Sequence, residues 1–322
     1  MDRPRTYDRR TAKEKARETM RGLWCAANVP FAADGAINTE GFKQNLVHWF
    51  DDLKIDGVFV GGKQGEFFSM SLEERKRIAE MAVETVRGRG QTIISCSDQN
   101  VDVVLDLARH AQAIGADYIV VHAPVLHFLQ AHDHTLVQYY ERIAGEVDIP
   151  MALWSHQDSG YMMSPELCAA LADIETVVAI KYSVPRAMYA RLTELVGKKI
   201  HVSTASEDEW LDNVLELGWK LYLCSSPPYV YQTKGDLRMR AYTEEALAGR
   251  AKEARAISRT LEPVRRAFKS TRPAEKPFAH QKYWQSLLGQ VGGCVRRPML
   301  ELIEAEQLAI EEAFSSCGLG RT

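Results

Sequence analysis

The sequence predicts a (β/α)8 TIM barrel with a C-terminal helical appendage. Three observations lead there. Eight short apolar runs, rich in β-branched residues, recur from Gly22 onward: Leu23–Ala27, Gly57–Val60, Thr92–Cys96, Tyr118–His122, Met151–Trp154, Val177–Lys181, Ile200–Ser203 and Leu221–Cys224. Amphipathic helix patterns separate them. The repeats occupy the roughly 250 residues that such a barrel takes. Runs of nearly unbroken apolar character read as strands buried on both faces, hence parallel. A doubly wound open sheet is the competing architecture, but no GxGxxG follows the first run.

Residues 1–19 read as an N-terminal arm. Met1–Arg17 carries seven Arg or Lys against three acids and lacks the apolar core of a signal peptide. A solvated arm or an oligomer contact is expected. Residues 20–265 form the barrel. In it, Ser71 and Glu74 make a capping box ahead of Leu72–Val86, where Leu72, Ile78, Ala79, Ala82 and Val86 share a face. Val101, Val104, Leu105 and Ala108 repeat the helical spacing. Ser164-Pro165-Glu166 reads as a cap followed by proline at the first helical position. Leu211, Val214 and Leu215 line another helix. Residues 266–322 form the C-terminal region: a connector at Lys269–Phe278, then helices near Gln281–Gly289 and Arg297–Phe314, broken at Gly292-Gly293.

Composition narrows the function. The 322 residues carry 40 Lys plus Arg against 43 Asp plus Glu, a net charge of −3. That near-neutral balance argues against a nucleic-acid partner. No apolar run approaches the roughly 18 residues of a membrane span, so no membrane partner is expected. Six cysteines without a CxxC pair read as small buried hydrophobes of a cytoplasmic protein. His127, His132 and His134 cluster around Asp133 but match no zinc spacing, so no metal and no cofactor is expected.

In a barrel, chemistry sits where strands end. Lys181 closes the run Val177–Ile180, so its amine would project from a hydrophobic wall. Desolvation favours a neutral lysine, and a neutral amine can attack a ketone to form a Schiff base. The alternative is an ion pair at the strand end with Glu207 or Asp208. Gly61-Gly62-Lys63-Gln64-Gly65-Glu66 is a strand-to-helix turn whose N–H groups suit a carboxylate, with Lys63 adding charge; it also reads simply as a tight turn. His122 reads equally as a core histidine. Trp24 and Trp154 lie on strands and face the barrel interior or its mouth.

These residues converge on a family. Gly62-Lys63-Gln64-Gly65-Glu66, followed by Ser71-Leu72-Glu73-Glu74-Arg75, resembles the GTTGE…L(S/T)xxE stretch of the dihydrodipicolinate synthase / N-acetylneuraminate lyase family. Val178-Ala179-Ile180-Lys181 resembles the strand that ends in its Schiff-base lysine. Gly292-Gly293-Cys294-Val295-Arg296-Arg297-Pro298 resembles its GGxxRxP segment. The resemblance implies a barrel with a C-terminal helical bundle, a homotetramer or homodimer, and class I aldolase chemistry on a 2-oxo acid such as pyruvate. It places the imine on Lys181 and the substrate-binding turn at Gly62 and Gly65, with Glu66 structural.

The departures shape the substrate expectation. Lys63 and Gln64 replace the family's two hydroxyl residues, Trp154 replaces its strand-five tyrosine, and Pro124-Val125-Leu126 replaces PYY. Ser159 stands where the synthases carry a carboxylate-binding arginine, so lysine synthesis is not expected. Lys63 is expected to hold the carboxylate, and His156 or His127 to move protons. Val125, Leu126 and Trp154 line an apolar or aromatic substrate tail, with Tyr182 and Ser225 beside it. Gly22-Leu23-Trp24, Lys181-Tyr182 and Cys224-Ser225-Ser226 are similar to the hydratase-aldolase branch. The expected function is therefore a lyase of aldolase or hydratase-aldolase type. The alternatives are a dehydratase, decarboxylase or hydrolase on the same barrel, or a non-catalytic ligand-binding relative.

Overall fold

A computed structural model describes residues 6–125, 132–156, 161–204, 206–223 and 225–320. Among these, eight parallel strands form the sheet: β1 Gly22–Ala26, β2 Gly57–Val60, β3 Gln91–Ser95, β4 Tyr118–His122, β5 Met151–His156, β6 Val177–Ser183, β7 His201–Ser203 and β8 Leu221–Leu223. They are ordered β7-β6-β5-β4-β3-β2-β1-β8. The N–H of Leu223 donates to Ser203 Oγ at 2.8 Å and ties β8 to β7, closing the ring. The helices are α1 Ala12–Thr19, α2 Thr39–Asp51, α3 Leu72–Val86, α4 Val101–Ala113, α5 His132–Glu146, α6 Pro165–Leu171, α7 Arg186–Val196 and α8 Glu207–Leu217. Beyond β8 come α9 Arg238–Leu247, α10 Ala251–Thr260, α11 Glu262–Ser270, α12 Pro277–Leu287 and α13 Glu304–Ser316. Among the described residues no helix is long and apolar enough to cross a membrane.

Strand alternation sorts the core into two layers. Leu23, Cys25, Val58, Val60, Ile94, Ile119, Val121, Leu153, Ile180 and Tyr182 pack outward against the helices. Trp24, Ala26, Phe59, Ile93, Tyr118, Val120, Ala152 and Trp154 fill the lumen. One irregularity matters. Pairing between β5 and β6 jumps from Met151↔Val177 to Ala152↔Ala179, so Val178 is an extra residue. Val178 and Ala179 both face the lumen, and the alternation resumes one step out of phase. This bulge turns Lys181 inward and Tyr182 outward.

The N-terminal arm is docked rather than solvated. Ala12, Ala16 and Met20 are buried and join the lumen cluster from below. Carbonyls at the strand-entry end receive the arm's donors: Ala116 from the Tyr7 hydroxyl, Ala144 from Arg9, Ala172 from Lys13 and Lys198 from Arg17. His201 Nε2 donates to the Ala16 carbonyl at 3.1 Å.

Two C-terminal expectations change. The connector shrinks to 271–276, because Pro277 starts α12 at its first position. The last helix begins at Glu304, not Arg297. The preceding segment instead lies across the chain near β1, with the Cys294 N–H donating to the Phe31 carbonyl at 2.8 Å. Gly293 has φ +70, and a Cβ there would sit 2.8 Å from the Phe31 backbone. The capping box on α3 is present as read, with both reciprocal bonds between Ser71 and Glu74.

Candidate active site at the strand ends

Four residues share one layer of the barrel mouth. In register, His122 lies beside Trp154, Trp154 beside Lys181, and Lys181 beside Ser203. Neighbouring positions are about one strand spacing, roughly 4.8 Å, apart. Lys181 is fully buried. Its Nζ sits 4.9 Å from the Trp154 ring centre and 5.1 Å from that of Phe59. It donates to Ser225 Oγ at 3.2 Å. The carboxylates considered as ion-pair partners are engaged elsewhere: Glu207 with Arg265 and the Tyr242 hydroxyl, Asp208 with Lys269.

The turn after β2 forms one wall. Gly62 packs on the Phe59 ring, where a Cβ would come within 2.7 Å. Lys63–Gly65 makes a 3-10 turn that consumes the N–H groups of Gly65 and Glu66, donated to the carbonyls of Gly62 and Lys63. Gly65 therefore does not offer its N–H to a carboxylate; a Cβ there would meet the Ala27 carbonyl at 3.2 Å. Within the turn Lys63 is half-buried and Gln64 is buried. The Gln64 side chain donates from Nε2 to the Ser225 carbonyl at 3.3 Å. Its Oε1 is buried and has no partner among the described residues.

On the opposite wall stand aromatic and imidazole groups. The Trp154 indole N–H is likewise buried without a partner among the described residues. His122 packs against Trp154 and Phe67, with ring centres 5.7 and 6.1 Å apart. Its Nδ1 donates to the Ala123 carbonyl at 2.7 Å, and burial holds its pKa below the ordinary imidazole value. A neutral ring with Nδ1–H fixed leaves Nε2 as an acceptor. His156 ends β5 beside Ser183 and bridges to Tyr161. Val125 is half-buried, its N–H held by Gln99 Oε1 at 2.7 Å. Leu126, His127 and Ser159 lie outside the described residues.

Tyr182 is a correction. It does not line the mouth. Its hydroxyl donates to the Met163 carbonyl at 2.6 Å in the outer layer, because adjacent strand residues face opposite sides. Ser225 lies beside the amine, its Oγ accepting from Lys181 Nζ.

Three sequence motifs meet beneath the β2 turn. Glu66, fully buried and held at φ 56, accepts from Lys282 Nζ at 2.5 Å and from the Arg296 N–H at 2.8 Å. The Arg296 guanidinium makes two bonds to the Glu74 carboxylate, at 2.6 and 2.7 Å. Those bonds hold the Glu74 carboxyl below its usual range. Lys282 Nζ and the Arg296 guanidinium carbon stand over the Phe31 ring, at 4.5 and 4.3 Å. Burial pushes the Lys282 ammonium down, and Glu66 opposes that. Glu66 is thus an anchor for the turn.

A profile of the dihydrodipicolinate synthetase family matches residues 19–316. The chain belongs to that family. An N-acetylneuraminate lyase of Clostridium perfringens is 32% identical over 165 residues, which span 51% of this chain and 57% of the lyase. A 4-hydroxy-tetrahydrodipicolinate synthase of Methanothrix thermoacetophila is 25% identical over 301 residues, or 92% and 96% of the two chains. Escherichia coli YagE, solved in complex with pyruvate, superposes with a TM-score of 0.82 at 23% identity, covering 93% and 99%. That likeness establishes the fold of this family member.

Sequence reasoning left two features of this family member unresolved. His122 was ambiguous between core and site; only the register with Trp154 puts it in the mouth layer. The second is a buried amide cluster at the end of β1. Asn28 Nδ2 donates to Gln285 Oε1 at 3.1 Å, and Gln281 Nε2 donates to Asn28 Oδ1 and to the Tyr229 hydroxyl. It fastens α12 to the barrel mouth. Nothing local signals it, since Asn28 lies 201 to 257 residues from its partners in sequence. Among the described residues no group of three His, Cys, Asp or Glu is placed to hold a metal ion, and His134 contacts Gln138 instead.

Proposed function

We propose that this chain is a lyase whose Lys181 amine forms an imine with a 2-oxo acid such as pyruvate. The observation that carries the proposal is a fully buried lysine amine in the mouth layer, flanked by two ring faces and a serine hydroxyl. In the first step Nζ adds to the keto carbon, and the keto oxygen leaves as water. The protonated imine then accepts the electron pair of the C3–C4 bond. A proton leaves the C4 hydroxyl, and an aldehyde departs. Lys63 holds the substrate carboxylate in this reading, aided by the N–H groups that open the turn. His156 takes the proton. Val125, Leu126 and Trp154 supply the wall, with Ser225 steadying the amine. A homotetramer or homodimer in the cytoplasm completes the proposal; exposed Leu300, Ile303 and Leu308 on the C-terminal segment support association.

Borohydride trapping tests it. Incubation with a panel of 2-oxo acids and reductant should give a mass adduct that maps to Lys181 and vanishes in Lys181→Ala. No adduct across the panel overturns the proposal. A second reading, dehydration, decarboxylation or hydrolysis on the same imine-bearing barrel, is favoured by Trp154, because an indole donates a hydrogen bond but does not relay a proton as a phenol does. Product analysis separates the two: an aldehyde product supports the lyase.

A further inference from the structure

Alternation along β4 turns His122 into the lumen with Tyr118 and Val120. There the Trp154 indole stands between its imidazole and the amine. Lys181 Nζ lies over the indole, 4.9 Å from the ring centre. The His122 ring meets the same indole edge-on, with 5.7 Å between centres and 67° between planes. Adjacent strands hold the three residues in one row.

The imidazole is held in one orientation and one proton state. A carbonyl oxygen only accepts, so the 2.7 Å bond to Ala123 places the hydrogen on Nδ1. Burial favours the neutral ring, and the charges of Arg75 and Asp98 act on it in opposite senses. Nε2 then carries a lone pair. The backbone beneath is braced: the His122 N–H donates to Ser97 Oγ at 3.0 Å, and Arg75 Nη2 donates to the Ser97 carbonyl at 2.9 Å. His122 keeps 8% exposure, which lets its ring trade protons with water. The other members of the row offer no base once the imine has formed. Trp154 brings only an N–H donor, Ser203 Oγ already accepts from the Leu223 N–H, and the Lys181 nitrogen is bonded to substrate.

We propose that His122 is a catalytic residue, the base that moves the proton at C3 of the Lys181 imine. The proposal rests on the imine reading and assigns a step which that reading leaves open. C3 lies two bonds from Nζ, on a carbon chain laid along the indole toward Nε2. With pyruvate bound, Nε2 takes a proton from C3. The C3–H electron pair becomes the C2=C3 double bond, and the π pair of C2=N returns to nitrogen, giving an enamine. In the cleavage direction the departing aldehyde leaves that enamine behind. The imidazole, protonated from water, then delivers its proton to C3, and water hydrolyses the pyruvate imine. His156 lies two residues beyond Trp154 on β5, roughly 6.6 Å nearer the strand exit. It serves the C4 hydroxyl, and His122 serves C3.

The test is hydrogen exchange into pyruvate, which has a C3 methyl group and no C4 hydroxyl. In deuterium oxide the wild type should replace the methyl protons, read as loss of the methyl signal in proton NMR. His122→Asn and His122→Gln, each first shown to be folded by near-UV circular dichroism, should slow that exchange by roughly 100-fold or more. Both should still trap pyruvate on Lys181 with borohydride at half-saturating concentrations within about threefold of wild type, because this base acts after the imine forms. Lys181→Ala should neither trap nor exchange. A wild type that traps pyruvate without exchanging it overturns the assignment. So does a folded His122 variant that no longer traps, or one whose exchange stays within about threefold of wild type. The two readings fail separately: an adduct with undiminished exchange in the variants sinks His122 alone, whereas no wild-type adduct with any 2-oxo acid sinks the imine reading.

Discussion

The two ends of the barrel solve different problems. At the strand-entry end α1 caps the lumen with Ala12, Ala16 and Met20, and its donors find backbone carbonyls around the rim. At the strand-exit end a lysine amine, an amide oxygen and an indole N–H are buried together, and the last two are unpaired among the described residues. The first end pairs the arm's donors, though Gln91 Oε1 and Thr176 Oγ1 there are buried without a partner among the described residues. The second withholds bonds that a ligand can make. Buried polar atoms left open lower stability.

Three perturbations sharpen that contrast. The largest is Lys282→Met, which leaves the Glu66 carboxylate buried without its cation. A loss of about 4 kcal/mol is expected in urea unfolding. Trapping at Lys181 should weaken with it, because Glu66 anchors the turn that carries Lys63 and Gln64. Unaltered trapping kinetics in this variant would separate the anchor from the mouth.

Next is the pH dependence of the entry end. Burial pushes the His201 imidazole down from 6.5 to about 4. Between those values the unfolded chain binds a proton that the folded chain excludes, so the unfolded state gains as pH falls. The contribution is full above about pH 6.5 and is lost on the way to pH 4, on the order of 3 kcal/mol. His201→Asn, which retains a donor for the Ala16 carbonyl, should flatten the stability profile in that window. An unchanged slope would assign the acid sensitivity to other groups.

The smallest effect is expected from Met20→Ala, a truncation at a fully buried site, at about 2 kcal/mol. Thermal unfolding should register it while the trapped yield at Lys181, measured well below the melting temperature, stays at the wild-type level. A fall in yield would show that the two ends are coupled through the lumen.

Much of this was readable from the residues in order. The strand runs, the α3 capping box and the position of Lys181 follow from local apolar character and cap chemistry, which act over a few residues. The docking of α1 was also encoded, since Ala12, Ala16 and Met20 recur at intervals of four, but the arm's dense charge masked the stripe. The Glu66–Lys282 pair joins residues 216 apart and has no local signature. The start of α13 was misplaced because Arg296 is held by Glu66 and Glu74, a tertiary restraint that overrides helical propensity in the residues after it.

The bulge at Val178 fixes the parity of strand β6. Were Val178 paired as an ordinary strand residue instead of bulged, every later position would change sides: the amine would turn to the greasy layer beneath the helices, and the phenol of Tyr182 would enter the lumen. Whether this barrel owns a nucleophile is thus set by a count as much as by an identity. One residue inserted between the bulge and Lys181, with no reactive side chain altered, would turn the amine out of the lumen.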